Sequence, residues 1–253
     1  MKISATIVTL NEERNIARAI ASLTCADEIV VVDSGSSDRT REIAAELGAR
    51  VVREPWRGYA AQKNFAASAA ANEWILSIDA DEELTPALSD EMAALKVTET
   101  GVDGYTMPRL ARYLGRWIRH SGWYPDRKIR LYRRDRGAWQ GEYVHESVQV
   151  KGTLVHLKGD LLHYTCDSLA QHLNTLDRYT TLAAQALAAS GKSIPLNRLA
   201  IDPPWTFFRS FIMQRGFLDG MHGFVIAGMA GFYTFMKYAK ARELAPPAEG
   251  KPR

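Results

Sequence analysis

Apolar segments of strand length alternate with helical segments over the first hundred residues, and this alternation constrains the fold more than any other feature. On this basis four strands are predicted, at residues 3–10, 28–33, 49–53 and 73–79. Helices are predicted at residues 15–23, 38–47 and 59–71, and from Thr85-Pro86 onward. Strands that are apolar on both faces and alternate with helices form a parallel sheet covered on both sides.

The remainder of the chain has a different pattern. Short strand-like segments, among them 128–132 and 143–150, are separated by Gly and charged residues, which predicts an antiparallel extension of the sheet. Residues 167–190 and 203–244 are expected to be helical. The expected fold is therefore α/β, a mostly parallel sheet with an antiparallel extension and a C-terminal helical appendage. The predicted regions are residues 1–165, the helical residues 166–245 and a flexible tail at 246–253.

Composition narrows the class of protein. Hydrophobic residues make up 46% of the chain and only 18 residues are Gly, which excludes collagen-like and disordered chains. Cys25 and Cys166 are far apart and no Cys/His spacing matches a zinc site, so a reducing compartment is expected. The apolar run before Asn11 is too short for a signal peptide, and we expect a cytoplasmic protein.

The net charge of +3 conceals an uneven distribution. Residues 1–100 contain 10 Lys and Arg against 17 Asp and Glu, whereas residues 109–136 contain 10 Lys and Arg against 2 Asp. Such a basic cluster is either a solvated face or a site that attracts an anion. Nucleic acid is not expected, because no nucleic-acid-binding motif accompanies the cluster. A phosphorylated or acidic acceptor, or an anionic lipid surface, fits better.

Carboxylates follow two of the predicted strands. Asp33 precedes a Ser-Gly-Ser-Ser loop, and the pair Asp79-Ala80-Asp81 follows the fourth strand. Open parallel sheets bind ligands beyond the carboxyl ends of their strands, and a nucleotide diphosphate with Mg²⁺ or Mn²⁺ needs one or two carboxylates there. The alternative for the pair is a turn with helix-capping acids. Asp33 could accept hydrogen bonds from a base or ribose, or could cap its own turn.

Three motifs at these strand ends resemble family 2 glycosyltransferases of GT-A fold. They are Ile7-Val8-Thr9-Leu10-Asn11-Glu12-Glu13, the segment from Val32 to Thr40, and Ile78-Asp79-Ala80-Asp81-Glu82. The resemblance covers roughly residues 1–100. It implies an inverting transferase that uses a nucleotide-activated sugar and a divalent metal, Mg²⁺ or Mn²⁺.

Further motifs resemble the lipopolysaccharide core β-1,4-glucosyltransferase subgroup. They are Gly58-Tyr59, Gln62-Lys63-Asn64, the segment from Tyr124 to Leu131, Trp139 with Gly141 and His145-Glu146, and Gly216-Phe217-Leu218-Asp219-Gly220. This resemblance extends to about Lys240. It implies transfer of a hexose, glucose from UDP-glucose, to an inner-core sugar of lipopolysaccharide.

The resemblance also implies site residues. The nucleotide pocket would be formed by Thr9, Asn11, Glu12, Asp33, Ser34, Gly35, Lys63 and Asp79. Asp81, with Asp79 beside it, would hold the metal. For Lys63 the alternative is a solvated lysine on a helix.

The catalytic base should be a carboxylate or His that reaches the sugar-facing side of the site, and the resemblance implies that it lies downstream of the Asp-x-Asp pair. Glu146 is the first choice. The family more usually has Glu-Asp at this place, so His145-Glu146 is a departure that leaves open which of the two takes the proton. His145 could instead bind metal or phosphate, or pack structurally. Asp126 is the other candidate base, with an ion-pair role as its alternative.

Aromatic residues interleave with the basic cluster. Trp123 and Trp139 could stack on sugar rings, although Trp is also common core filler. Arg127 and Arg130 could hold phosphates or carboxylates of an acceptor. An inner-core saccharide on a lipid carrier has both features, so the expected acceptor is an anionic, lipid-linked saccharide.

The C-terminal segment contains 17 consecutive uncharged residues, Gly220 to Met236, at the lower edge of a membrane span. Flanking cations favour a segment that lies in the interface of an anionic leaflet, on the inner face of the cytoplasmic membrane. The alternatives are a helix packed on the catalytic domain and a homodimer contact. Two rival functions remain open: hexosyl transfer to a polyprenyl phosphate, and a non-catalytic nucleotide- or glycan-binding protein at the membrane.

Overall fold

The computed structural model of the protein describes residues 1–95, 101–141, 146–190 and 194–244. The chain divides into two compact units. The first comprises Met1–Leu110 with Pro125–Tyr164, and the second comprises Ala111–Tyr124 with the chain from Thr165 onward. Residues 111–124 thus belong with the C-terminal helices, whereas the sequence placed them in the first region. The predicted tail lies outside the described residues.

Twelve strands are present in the described residues. They are β1 (Ile3–Thr9), β2 (Glu28–Asp33), β3 (Arg50–Arg53), β4 (Trp74–Asp79), β5 (Glu82–Leu84), β6 (Gly104–Tyr113), β7 (Arg116–Trp117), β8 (Asp126–Arg133), β9 (Gly137–Gln140), β10 (Ser147–Val150), β11 (Leu154–His156) and β12 (Leu161–Cys166). The α-helices are α1 (Ile16–Ala21), α2 (Thr40–Glu46), α3 (Tyr59–Ala69), α4 (Pro86–Leu95), α5 (Leu169–Ala189), α6 (Leu196–Phe208) and α7 (Met221–Leu244).

The main sheet has the order β3-β2-β1-β4-β8-β6-β12-β5. Its first four strands are parallel, and β8 pairs antiparallel with both β4 and β6. Strands β12 and β5 are also antiparallel, and β9 and β10 form a separate antiparallel pair. The predicted α/β class, a parallel sheet with an antiparallel extension and C-terminal helices, is confirmed.

Apolar side chains on both faces of the parallel strands explain why helices cover both sides. Val31 belongs to a core cluster that includes Ile16 of α1 and Leu88 of α4. Its neighbours Val30 and Val32 point to the other face and pack with Ala66 of α3. The strands are therefore fixed between two helical layers, and β2 and β4 end on the carboxylates Asp33 and Asp79.

The second unit contains α5, α6 and α7, with α7 packed on both of the others. The sequence predicted helix throughout 203–244, and this is only partly right. Helix α6 begins earlier, at Leu196, and a π-helical turn (Arg209–Met213) and a 3₁₀ turn (Gly216–Asp219) separate it from α7. Among the helices of the described residues, none combines the length and apolarity that crossing a membrane requires.

Candidate active site

Three parallel strands end side by side and bring the sequence motifs together. In the register of the sheet, Thr9 of β1 lies opposite Asp33 of β2, and Val8 lies opposite Asp79 of β4. Because β1 pairs parallel with both β2 and β4, the loops that follow the three strands share one edge of the sheet. The convergence that the motif order predicted is therefore built into the strand register.

Asp33 shapes the loop that follows β2. Its carboxylate is fully buried and accepts hydrogen bonds from the backbone N–H groups of Gly35 (3.1 Å) and Ser36 (3.0 Å) and from the Ser36 hydroxyl. Gly35 has a φ of 108°, which favours glycine at this place in the turn. Of the two roles that the sequence allowed, the structure shows the turn cap, and a nucleotide contact by Asp33 stays a prediction.

The loops after β1 and β2 are tied together by hydrogen bonds. The Asn11 N–H donates to Oγ of Ser36 (2.9 Å), and Asn11 Oδ1 accepts from the Ser37 N–H (2.8 Å). The Ser34 N–H donates to the carbonyl of Thr9 (3.0 Å). Within the described residues the Thr9 hydroxyl is buried and has no hydrogen-bond partner. The predicted nucleotide loops are thus held together by hydrogen bonds between them.

Glu12 lies where the same loop enters α1. Its carboxylate accepts a hydrogen bond from Nδ2 of Asn15 at 2.7 Å. Burial raises the pKa of Glu12, and the nearby charge of Asp81 adds to that shift. Glu12 and Asp81 therefore share one electrostatic environment, although they come from different strand ends.

Three consecutive side chains of α3 each hold a different part of the site. Gln62 donates to the carbonyl of Glu54 (3.0 Å), and the Asn64 amide forms two 2.9 Å hydrogen bonds with the backbone of Trp139. Between them, Lys63 is buried, with Nζ 2.7 Å from Oδ1 of Asp79. The alternative of a solvated lysine is wrong, because only 6% of the Lys63 side chain is exposed.

Asp79 is held between two cations. In addition to Lys63, the guanidinium of Arg130 lies 2.7 Å from its Oδ2. Burial alone would raise the pKa of Asp79, but Arg130 and Lys63 hold it well below its usual range. Arg130 also contacts the buried Glu82 at 2.6 Å. In this structure both oxygens of Asp79 therefore face cations of the protein, and the guanidinium of Arg130 faces two carboxylates.

Asp81 is paired with a histidine that the sequence motifs do not include. Nε2 of His163, in β12, lies 3.3 Å from Oδ2 of Asp81. Both side chains are partly exposed, by 18% for His163 and 32% for Asp81. In the part of the chain that the structure describes, Nδ1 of His163 is buried without a hydrogen-bond partner, and no three His, Cys, Asp or Glu side chains surround one point. A metal held by this pair would need substrate or water oxygens as well.

Glu146 lies beside Lys63, with Oε1 3.7 Å from its Nζ. The side chain is only 15% exposed, and within the described residues its Oε2 is buried and without a hydrogen-bond partner. A cavity of about 410 Å³ is lined by Glu146, Lys63, Asp79 and the indole of Trp139, over whose ring Lys63 lies at 4.1 Å. Glu146 therefore lines a chamber of ligand size and carries a buried carboxylate oxygen that has no partner among the described residues. His145, the alternative base, lies outside the described residues.

Asp126 is an ion-pair partner. Its Oδ2 lies 2.6 Å from Arg109 and its Oδ1 lies 3.0 Å from Lys128. Burial would raise its pKa, but the charge of Arg109 and the hydrogen bond from Lys128 lower it. These contacts favour the structural alternative for Asp126 over the role of base.

The predicted acceptor residues are divided between the units. Arg127, Arg130 and Trp139 line the cavity that contains Glu146. Arg127 is exposed and, among the described residues, donates only to the carbonyl of Leu157 (3.2 Å), so its charge has no carboxylate partner. Trp123 belongs to the second unit, where its ring lies 5.5 Å from that of Tyr113.

The sequence analysis missed two contacts of the site. They are the pairing of His163 with Asp81 and the ion pair of Glu82 with Arg130. His163 is opposite Glu82 in the antiparallel pairing of β12 with β5. No local spacing signals this, because the two residues are about eighty positions apart in sequence. Glu82 is the last residue of the motif that contains the Asp-x-Asp pair, and the structure shows it buried against Arg130.

Sequence comparisons agree with the motifs. The family model described as glycosyl transferase family 2 matches residues 4–150. Similar proteins include the lipopolysaccharide core biosynthesis glycosyltransferase LpsC of Rhizobium meliloti (strain 1021), 32% identical over 247 residues, 95% of this chain and 92% of LpsC. An uncharacterized glycosyltransferase of Rickettsia typhi is 36% identical over 256 residues, 96% of this chain and 88% of the relative.

Solved structures that resemble this chain include glucosyl-3-phosphoglycerate synthase from Mycobacterium tuberculosis, in complex with Mn²⁺, UDP and glucosyl-3-phosphoglycerate. The matched part is 27% identical and has a TM-score of 0.37. It covers 44% of this chain and 44% of the synthase chain.

Proposed function

The chain belongs to glycosyl transferase family 2, and on that premise we propose that it transfers glucose from UDP-glucose to an inner-core sugar of lipopolysaccharide, with inversion at the anomeric carbon. LpsC, to which the chain is similar over nearly its whole length, is by its name a lipopolysaccharide core biosynthesis glycosyltransferase. Inversion by a single displacement requires a base on the acceptor hydroxyl and neutralisation of the leaving diphosphate.

The observation that carries the proposal is the position of Glu146. Glu146 lines the same cavity as Asp79 and Lys63, and its Oε2 is buried and, among the described residues, unpaired. An oxygen with a free lone pair at such a place can accept the proton of an acceptor hydroxyl. Lys63 holds the other oxygen of the carboxylate from 3.7 Å away, which orients the group. In this proposal Glu146 is the catalytic base.

Asp81 and His163 fit a divalent cation, and we assign Mg²⁺ or Mn²⁺ to them. A carboxylate oxygen and an imidazole nitrogen 3.3 Å apart, both partly exposed, provide two ligands and leave room for phosphate oxygens. When bound, the cation supplies Lewis-acid stabilisation of the leaving diphosphate. Asp79, which the resemblance places near the nucleotide and the metal, would lie beside Asp81 and His163. Its own oxygens are held by Lys63 and Arg130.

The nucleotide would lie on the loops after β1 and β2. Thr9 offers the unpaired hydroxyl, and the loop of Asn11, Ser34 and Gly35 is preformed by its internal hydrogen bonds. Backbone N–H groups in such a loop suit the polar edge of a base or ribose. Glu12 would line the same pocket, next to the charge of Asp81.

The acceptor would enter from the basic side of the cavity. Arg127 has the charge that is least compensated there, and Lys128 follows it in β8. Trp139 offers an aromatic ring at the same cavity. These groups favour an acceptor in which a phosphate or carboxylate accompanies the sugar that receives glucose. Because such an acceptor is lipid-linked, we propose that the enzyme works at the cytoplasmic face of the inner membrane.

Release of UDP by the purified protein tests the proposal. The protein is supplied with a panel of UDP-sugars, Mg²⁺ or Mn²⁺, and lipopolysaccharide truncated to its inner core. Release from UDP-glucose that rises with the acceptor and stops with EDTA supports the proposal. Release from a different UDP-sugar would show that the donor is not UDP-glucose. Activity only with a polyprenyl phosphate would show that the acceptor is not lipopolysaccharide. No release with any donor contradicts the proposal.

A further inference from the structure

The segment between α6 and α7 is fixed by a buried carboxylate. Asp219 is 3% exposed and accepts hydrogen bonds from the backbone N–H groups of Arg119 (3.4 Å) and His120 (2.9 Å), with Nδ1 of His120 3.1 Å away. Close packing adds to this, because a Cβ at Gly223 would lie 1.8 Å from the carbonyl oxygen of Gly216. The turn that contains Asp219 is therefore held in one conformation.

Apolar side chains project from this fixed turn into solvent. Phe217 and Leu218 immediately precede Asp219 and are 48% and 50% exposed. With three further exposed residues of the same segment they form what we call the apolar tip: Ile212, Met213, Phe217, Leu218 and Met221. An exposed apolar cluster of this kind on a rigid support marks an interaction surface rather than a disordered loop.

Exposed apolar residues continue from the tip along both helices. On α6, Ile201, Trp205 and Phe208 are exposed at helical spacing. On α7, Phe224 and Phe232 are exposed, while Ile226 and Ala227 on the other side of the helix are buried. A helix that is apolar on both faces is normally enclosed by protein or by lipid. In the described part of the second unit, protein covers only one face of α7.

The exposed charge near the tip is entirely positive. From Trp205 to Met236 the charged residues are Arg209, Arg215 and Asp219. Both arginines are exposed, whereas Asp219 is buried in the contacts described above. Apolar and aromatic side chains flanked by arginines match the boundary between acyl chains and anionic headgroups.

We propose that the apolar tip inserts into the interfacial layer of an anionic lipid bilayer, with Arg209 and Arg215 at the lipid phosphates. This gives a role to the Gly216–Gly220 motif: Asp219 fixes the turn, and Phe217 and Leu218 are its lipid-facing side chains. The inference deepens the proposed function, since it names the surface that brings the enzyme to a lipid-linked acceptor. The competing occupant of the same surface is a second copy of the chain.

Binding to vesicles tests the inference without any need for turnover. The full-length protein is sedimented with phosphatidylcholine vesicles that contain or lack phosphatidylglycerol. We expect binding to the anionic vesicles that weakens as salt is added. The double variant Phe217→Ser/Leu218→Ser should bind at least about tenfold more weakly, because two apolar side chains no longer enter the bilayer. Arg209→Gln/Arg215→Asn should lose about fivefold per arginine and most of the salt dependence.

Leu47→Ser provides a matched control, because Leu47 is equally exposed, at 45%, but lies at the end of α2 in the first unit. It should bind vesicles as the wild type does. The inference is wrong if the wild type ignores anionic vesicles, or if the tip variant binds them equally well. It is also wrong if the tip instead forms a dimer contact. Analytical ultracentrifugation would then show a dimer that is lost only in the Phe217→Ser/Leu218→Ser variant. UDP release in vesicle-free buffer reports separately on the proposed function, so the two can fail independently.

Discussion

The Nζ atom of Lys63 lies 2.7 Å from Oδ1 of Asp79, and this ion pair joins α3 to the end of β4. The same Nζ lies 3.7 Å from Glu146 and 4.1 Å from the centre of the Trp139 ring. One buried ammonium thus connects the Asp-x-Asp motif, the candidate base and the wall of the cavity. Lys63 should therefore affect both the stability of the fold and the candidate site, and the two effects can be measured separately.

Lys63→Met should lower the free energy of unfolding by about 2–3 kcal/mol at neutral pH. That is near the low end for breaking a buried ion pair, because Arg130 remains to pair with Asp79. The pKa of Asp79 is depressed in the folded protein, so its stabilising contribution is present above the pKa of the unfolded chain, about 3.9, and is lost as the pH falls below it. Urea unfolding from neutral to strongly acidic pH should therefore show the difference between wild type and variant shrinking.

The control is Arg133→Met, which removes a half-buried cation that pairs with the exposed carboxylates of Glu73 and Asp135. It should change stability little, since exposed ion pairs contribute little. A Lys63→Met protein as stable as the wild type would show that the pair does not stabilise the end of β4.

Asp81→Asn and His163→Gln should each weaken Mn²⁺ binding about tenfold or more, measured by calorimetry in the presence of UDP. Each substitution removes one of the two proposed ligands. Asp90→Asn, an exposed carboxylate on α4, should bind Mn²⁺ as the wild type does. Unchanged Mn²⁺ affinity in both site variants would show that Asp81 and His163 do not bind the metal.

Arg127→Gln should raise the KM for a phosphorylated or carboxylated acceptor by about 10- to 100-fold, the loss of a hydrogen bond to a charged group. The KM for the UDP-sugar should stay unchanged, because Arg127 contacts none of the nucleotide loop in this structure. Steady-state kinetics with acceptors that carry or lack the anionic group separate the two effects, and the exposed Lys151→Gln serves as the charge-matched control. An equal rise in KM for the acceptors with and without the anionic group would show that Arg127 does not bind that group.

The second unit should become less stable in mild acid. The Tyr113 hydroxyl and Nδ1 of His172 lie 2.7 Å apart, burial lowers the pKa of His172, and burial raises the pKa of Tyr113 to about 12. The phenol therefore donates to a neutral imidazole. Because the folded pKa of His172 is depressed, its contribution is present above the unfolded value of about 6.5 and is lost as the pH falls.

His172→Gln keeps a side-chain polar group but cannot titrate. Thermal unfolding of this variant should depend less on pH between about 7 and 5 than that of the wild type. Equal pH dependence in the two proteins would assign the acid sensitivity to other groups.

The sequence predicted the strand ends of the site because the apolar runs, and the carboxylates after them, are local features. Asp33 and Asp79 lie where the order of strands and helices places them. The Asp81–His163 pair depends on the antiparallel pairing of β5 with β12, which no local pattern encodes. Burial of Lys63 likewise depends on three other segments packing around it, whereas a lysine by itself predicts exposure.

The difference between local patterns and contacts of distant segments also explains the errors in the predictions for the C-terminal region. The sequence predicted a helical region beginning at residue 203, yet α6 begins at Leu196 and contains Pro203 and Pro204 in its interior. The predicted helix is interrupted at Arg209–Met213 and Gly216–Asp219, where buried Asp219 accepts hydrogen bonds from backbone groups about a hundred positions away in sequence. Trp123 was grouped with Trp139 by closeness to the basic cluster in sequence, although the two residues belong to different units.

The role of Glu146 as the base of a glycosyl transfer is tested by the rate of product formation in Glu146→Gln. We expect a loss of about 10²- to 10⁴-fold with UDP-glucose binding unchanged, because only the proton acceptor is removed. Asp126→Asn, whose carboxylate is held by Arg109 and Lys128, should lose far less. A Glu146→Gln enzyme that forms product at the wild-type rate, or an Asp126→Asn enzyme with the larger loss, would show that Glu146 is not the base.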